Sequence, residues 1–216
     1  MIYLDNAGST KARKEVIKIV SEILENDYAN PDAIHGFGIE INKKIKKARK
    51  ITADFLSVDT KEIYFTSGGS EGNNVLIQGI VNANSRNKKH LITTKIEHSS
   101  VYEIFREYED RGFEVTYLNV DSYGRIDLKE LAESIRKETI LVSIIAVNSE
   151  VGIIQRLEEI GGIIKEQNSD VAFHTDFVQG FGHLKIDVKK SKIDALTVSG
   201  HKIHGPKEIG AVYLSS

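Results

Sequence analysis

Short β-branched and aromatic runs alternate along the chain with longer stretches whose apolar residues recur at helical spacing. The runs predict strands at Glu62–Thr66, His90–Thr94, Glu114–Leu118, Ile140–Val147, Val171–Thr175, Asp194–Val198 and Ile209–Leu214. Helical patterns fill the gaps at Ser70–Ala83, Ser99–Arg111, Asp127–Lys137 and Arg156–Gln167, and two more, near Lys11–Glu25 and Gly38–Leu56, precede the first strand. The run Ile140–Val147 is almost wholly apolar, as expected of a strand covered on both faces. The alternation implies an α/β fold, a three-layer α/β/α sandwich with a mostly parallel sheet. No fixed-period repeat or low-complexity linker interrupts it.

In such sheets ligands gather beyond the carboxyl ends of the strands, and that rule sorts the polar residues. Ser67-Gly68-Gly69-Ser70 follows the first strand and Glu97-His98 the second. Asn148 follows the apolar run, Asp176 follows Val171–Thr175, and Ser199-Gly200-His201-Lys202 follows Asp194–Val198. Five chemical groups thus fall on one edge of the sheet.

Together they are the parts needed to hold pyridoxal phosphate. Lys202 can form a Schiff base with its aldehyde, and partial burial among cations would help the amine lose its proton. Asp176, at a buried strand end, needs a cation, and a protonated pyridine nitrogen is one. Gly69 and Ser70, opening a helix, suit a phosphate, with Ser70 as donor or as N-cap. His98 has a flat imidazole that can stack on the ring or relay a proton. Gln179 and Asn148 can reach the phenolic oxygen, and either is also an ordinary turn residue. Taken singly, the Gly-Gly turn reads as a loop with a capping serine, and His98 as a histidine hydrogen-bonded near a helix start with Ser99 or Ser100 as the cap. Lys207, in Gly205-Pro206-Lys207, reads as a solvent-facing tip.

Composition narrows the classes further. The 216 residues have 40% hydrophobic and 28% charged content and a net charge of −2, which offers no general attraction to nucleic acid or anionic lipid. The basic run Lys43–Lys50 lies within a helical pattern (Ile41, Ile45, Ala48, Ile51, Phe55) and reads as a solvated helix face. With no cysteine there is no disulfide, thiolate metal site or thiol nucleophile on these residues. The remaining histidines show no metal-ligand spacing. No leader pattern or bilayer-length apolar run is seen, so a cytoplasmic protein without membrane contact is the default expectation.

Several stretches, taken together, resemble a known family: Tyr3-Leu4-Asp5-Asn6-Ala7, Asn30-Pro31 with His35-Gly36, Thr66-Ser67-Gly68, Glu97-His98, Val147-Asn148-Ser149-Glu150-Val151-Gly152 and Ser199-Gly200-His201-Lys202. The chain resembles the N-terminal half of a cysteine desulfurase of the class V aminotransferase, fold-type I pyridoxal-phosphate group, in the branch that supplies sulfur for iron–sulfur clusters. The resemblance implies one large cofactor-binding domain over 1–216, with an N-terminal arm over 1–15 and a small C-terminal domain beyond Ser216. It implies that Gly69, Ser70, Ser199 and His201 bind the phosphate, that His98 stacks on the ring, and that Asp176 holds its nitrogen. Asn148 and Gln179 would touch the phenolic oxygen, and Lys202 would carry the cofactor and shuttle protons. The implied reaction turns L-cysteine into L-alanine, leaving sulfur as a persulfide, in a homodimer that serves an iron–sulfur scaffold or another sulfur acceptor.

The chain departs from the family pattern in places. Gly68-Gly69-Ser70-Glu71 replaces Gly-Ala-Thr-Glu, and Phe177 replaces a small alanine, so crowding of the pocket is expected. The persulfide cysteine and the substrate-gripping arginine would lie beyond Ser216. Three readings stay open: a desulfurase completed by a separate C-terminal chain or by missing sequence, a different pyridoxal-phosphate reaction on an amino acid, or a non-catalytic cofactor-binding remnant. The isolated polypeptide is expected to show little or no desulfurase turnover.

Overall fold

All seven expected runs pair into one sheet. In the computed structural model, which describes residues 2–86 and 89–216, the strands are β1 (Ile63–Thr66), β2 (His90–Thr94), β3 (Glu114–Leu118), β4 (Thr139–Ser143), β5 (Ala172–Asp176), β6 (Ala195–Ser199) and β7 (Gly210–Leu214). Their spatial order is β1-β7-β6-β5-β4-β2-β3. Strands β3, β2, β4, β5 and β6 run parallel, and β7 runs antiparallel to both its neighbours.

Four helices link successive strands from β1 to β5: α3 (Gly69–Asn84), α4 (Ser99–Asp110), α5 (Leu128–Ser134) and α6 (Leu157–Gln167), while the crossover from β5 to β6 has no helix among the described residues. Every residue of β2, β4 and β6 is buried, because helices cover both faces. Alternate residues feed two cores: Leu91 and Leu141 pack with Ile77, Val101 and Phe105 of α3 and α4. Ile92 and Val142 pack with Leu131, Ile160, Ile164 and Phe173 on the other side. Each such side chain contributes about 1.5–3 kcal/mol on burial.

The two N-terminal helices are α1 (Lys14–Asn26) and α2 (Gly36–Leu56). The first starts three residues later than its pattern suggested. Thr10 and Arg13 instead donate backbone N–H bonds to His201 O (2.9 Å) and His204 O (3.1 Å), which draws the segment out of the helix. Helix α1 buries none of its residues, and Ile17, Val20, Ile23 and Leu24 are exposed. Helix α2 begins at Gly36, capped by His35 Nδ1, which accepts from Gly38 N. Its basic run is solvated and pairs with acids at Lys43–Glu40 (2.7 Å) and Lys50–Asp54 (2.8 Å). It buries Gly38, Ile41, Ala53 and Leu56, whereas Ile51 and Phe55 of the expected pattern are exposed.

Helix α5 is shorter than expected, running from the Asp127 cap to Ser134. The ladder of β4 stops at Ser143, although Ile144 and Ala146 still donate to His174 O and Asp176 O.

The carboxyl ends of the parallel strands and the start of β7 meet on one edge. There Thr66 and Ser199 both face Gly210. A Cβ on Gly210 would lie 2.7 Å from Gly68 Cα and 2.7 Å from Val198 O, so only glycine lets the turn before α3 close against β7. A Cβ on Gly72 would meet Thr197 Cγ2 at 2.6 Å, and its absence seats the first turn of α3 directly on β6.

Candidate active site

The strand-end edge opens into a cavity of about 560 Å³ that Gly69, Ser70, His98, Asp176, Gln179, His201 and Lys202 all line. Seven of the nine residues singled out in the sequence therefore share one concave surface. Gly68 caps α3 with φ 155°, a backbone conformation reserved for glycine. The cap residue has no side chain to fill the N-terminus. Glu71 reaches back to accept from Ser67 N, which leaves the first-turn residues Gly69 and Ser70 turned to the cavity. The N–H groups and dipole of this 16-residue helix favour an anion there. Ser70 is thus a first-turn residue, not the N-cap.

Asp176 closes β5 and is only 4% exposed. Its Oδ1 accepts from Val178 N and its Oδ2 from Asn73 Nδ2, both at 2.9 Å. It makes no ion pair among the described residues. Burial pushes its pKa up, against the two hydrogen bonds and the charges of His98 and Lys202, which pull it down. A buried carboxylate that faces a cavity without a cation is a receptor for a cationic N–H.

Lys202 ends the 3-10 turn Gly200–Lys202 after β6. Its Nζ donates to Ala7 O (2.5 Å) and Gly8 O (2.9 Å) of the N-terminal arm. Desolvation lowers its pKa, opposed by Asp176 and Asp5, so the amine loses its proton more readily than a free lysine. His201 beside it is also pushed down, by burial first and then by Lys202 and Lys207. The arm is stitched to this loop through Thr10, whose Oγ1 donates to His201 O and accepts from His204 N, each at 2.7 Å.

His98 is exposed to the cavity and caps α4 with its own ring: Nδ1 accepts from Ser100 N (3.1 Å) and lies 2.8 Å from Ser100 Oγ. The cap is therefore His98 itself rather than Ser99 or Ser100, and the same residue lines the cavity. Next to it Glu97 turns inward. Its Oε1 accepts from Thr94 Oγ1 and Ile145 N, both at 2.8 Å, while Oε2 is enclosed without a partner. Desolvation, with the charge of Asp176 adding, pushes Glu97 up to about 8.

Two of the nine sit behind the wall. Ser199 is buried beneath the α3 turn and bonded to His201 Nδ1 at 2.8 Å. Asn148 uses Nδ2 on Ile96 O and Oδ1 on Glu150 N and Val151 N, all at 2.9 Å. Its Nδ2 keeps a second N–H beyond the Ile96 bond, and the Oδ1 bonds shape the turn that carries Ser149 and Glu150 to the rim. Gln179 lines the cavity with Nε2 on Ala7 O at 2.9 Å.

Phe177 does not crowd the pocket. Its ring is 2% exposed and lies in the core on the opposite side of the sheet edge, while Val178 takes the wall position. Strand alternation at the end of β5 decides this. Lys207 is exposed, as its turn suggested. The sequence reading assigned no role to Asp5, Ala7 and Gly8, or to Asn73, and offered Ser100 only as a helix cap. The arm residues carry no local signal for a contact 190 residues away. Asn73 had one, its helical position four residues after the Gly-Gly turn.

A family model described as aminotransferase class-V matches residues 2–216. The chain is 47% identical to a Candida albicans protein named cysteine desulfurase, mitochondrial, over 99% of this chain and 43% of that protein. It is 46% identical to a Methanosarcina thermophila protein named cysteine desulfurase IscS, over 99% of this chain and 52% of that one. A solved structure described as SspA in complex with cysteine superposes with a TM-score of 0.95 at 42% identity, covering 99% of this chain and 61% of that one. The chain spans about half the length of the curated relatives it matches.

Proposed function

The chain belongs to the class V aminotransferase family, and on that premise we propose that it binds pyridoxal phosphate through Lys202 and forms the cofactor half of a cysteine desulfurase. The observation that carries the reading is Asp176, buried at the cavity floor without a cation, near enough to Lys202 that each charge acts on the other. The residues fit the group at each end: an anion cradle at the start of α3 for the phosphate, a carboxylate for the pyridine nitrogen, and an amine with a depressed pKa for the aldehyde.

When bound, the cofactor supplies an aldehyde for the amine and a ring that accepts electrons. The protein does the rest. Asp176 would hold a proton on the ring nitrogen, and the Val178 and Asn73 bonds keep the carboxylate aimed. His98, which lines the same cavity, would stack on the ring. The Lys202 amine would hold the cofactor and move protons for the substrate. Its bonds to Ala7 O and Gly8 O bring the arm within its reach.

L-Cysteine plus an acceptor thiol would give L-alanine plus a persulfide, which balances without an added oxidant. The 216 residues hold no cysteine, so the acceptor thiol lies on another segment or chain. The relatives' names and the cysteine-bound neighbour support this substrate. A homodimer, a sulfur-acceptor partner and a cytoplasmic location complete the proposal, although the relatives include proteins named mitochondrial. No helix among the described residues is long and apolar enough to cross a membrane.

Mixing with pyridoxal phosphate, reducing with borohydride and mapping peptides by mass should place one adduct on Lys202 and none in Lys202→Ala. An adduct elsewhere, or equal labelling of the variant, would overturn the assignment. With cofactor, L-cysteine, a dithiol reductant and an added chain that supplies the acceptor thiol, alanine and sulfide should form in equal amounts, with little of either from the 216 residues alone. A keto acid without sulfide would point instead to transamination.

A further inference from the structure

Between His98 and Asp176 runs an unbroken line of side-chain hydrogen bonds whose direction is fixed from one end. It begins at the backbone N–H of Ser100, which can only donate, and which points at His98 Nδ1 from 3.1 Å. That nitrogen therefore carries no proton. Ser100 Oγ lies 2.8 Å from the same nitrogen, so the hydroxyl must donate to it and present its lone pairs elsewhere. Asn73 Nδ2 meets that oxygen at 2.9 Å with one N–H, and its second N–H goes to Asp176 Oδ2 at 2.9 Å.

We propose that Asn73 is a positioning residue that joins His98 and Asp176 into one polarised unit, with the His98 ring held as its Nε2–H tautomer. The free edge of the imidazole then offers the cavity an N–H rather than a lone pair. Asn73 is fully buried, and its Oδ1 has no hydrogen-bond partner. A side chain placed only to fill space or to balance polar groups would not leave its carbonyl oxygen unsatisfied in a dry interior, so its two N–H groups are what the position is for. The sense of the line also depends on Asp176. An ionised carboxylate accepts from Asn73, whereas a group at 176 that offers a donor would confront a donor and turn the amide around. The state of the ring-nitrogen partner is thereby felt at the ring-facing histidine.

The use of this unit rests on the cofactor reading above, but its test does not need the cofactor. Long-range proton–nitrogen correlation spectra of the histidine-labelled, cofactor-free chain should show His98 with a pyridine-type Nδ1 and a protonated Nε2. An Nδ1–H tautomer, or a rapidly averaged pair, would overturn the inference. Asp176→Asn should move the His98 Nδ1 resonance in the wild-type background and leave it unmoved in an Asn73→Ala background. Equal movement in both would remove Asn73 from the line. Should Asn73→Ala not fold, Ser100→Ala, at a half-buried position, breaks the same connection and must give the same loss of coupling. His35, which caps α2 in a similar way, serves as the resonance that should not respond. A failed borohydride experiment leaves these spectra unaffected, and averaged spectra leave the Lys202 adduct unaffected.

Discussion

Replacing Glu97 with glutamine should change how stability depends on pH by about one proton. Glu97 is held up at about 8, against an ordinary 4.5, because its carboxyl is enclosed. In the folded chain it stays protonated up to about pH 8, whereas in the unfolded chain it ionises above 4.5. Unfolding therefore releases a proton throughout that window, and stability falls as pH rises, by about 1.4 kcal/mol per pH unit while the proton difference is complete. Over the window the loss is on the order of 5 kcal/mol, a large share of a domain's total stability. Glutamine keeps the acceptor for Thr94 Oγ1 and Ile145 N and cannot ionise, so it removes the slope.

Other groups contribute to the profile of both proteins. Asp176, pushed up by burial, acts in the same direction as Glu97. The buried His90 and His174 are pushed down to about 4 and about 3. The unfolded chain takes up their protons below about 6.5, so they cost stability as pH falls. To first order these effects cancel in the difference between wild type and Glu97→Gln. Denaturant midpoints of the cofactor-free chain, measured from pH 5 to 7.5, should show the variant overtaking wild type as pH rises. Parallel profiles would mean that Glu97 is ionised in the fold and that the burial argument is wrong.

Helix α6 offers a paired test of packing. A Cβ on Gly161 would lie 1.9 Å from Ser191 O, while one on Gly162 meets nothing within 4 Å. Gly161→Ala should lose about 3 kcal/mol through overpacking and Gly162→Ala should gain about 0.5–1 kcal/mol from helix propensity, both read from urea unfolding. Equal effects would refute the seating of α6. Thr10→Val should leave His204 N–H without its 2.7 Å acceptor, at a cost of about 1–3 kcal/mol, and should speed proteolytic cutting ahead of α1. Unchanged cutting would show that the arm is not anchored there.

The fold was legible because each crossover carries its own signals. The fully apolar run at β4, the Asp127 cap and the Gly-Gly turn each mark a boundary that tertiary contacts then respect. The strand-end rule also put Lys202, Asp176 and His98 on one edge. What it could not supply was which way a side chain turns after the strand stops. Phe177 and Val178 are adjacent, and only the pleat of β5 decides that the first enters the core and the second the cavity wall. Asn148 was legible as a strand-end amide, but not the three local bonds that orient it and leave it one N–H. The arm was unreadable for a different reason: Ala7 and Gly8 contribute backbone carbonyls, and a carbonyl has no letter in the sequence. The late start of α1 has the same origin, since Thr10–Arg13 exchange helical bonds for partners beyond residue 200.

Strand β7 is synthesised after the six others, yet its place is second in the row, wedged between β1 and β6. Until residues 210–214 arrive, β1 has nothing to lean on and β6 shows an open flank, so the nascent chain carries two raw edges at once. Sealing them joins parts of the polypeptide about 150 positions apart, which makes closure of the sheet a slow, late event. It is also the event that draws Gly210 against Gly68 and sets the lysine-bearing loop in place, so a chain that has not finished its last strand has not yet built its chemistry.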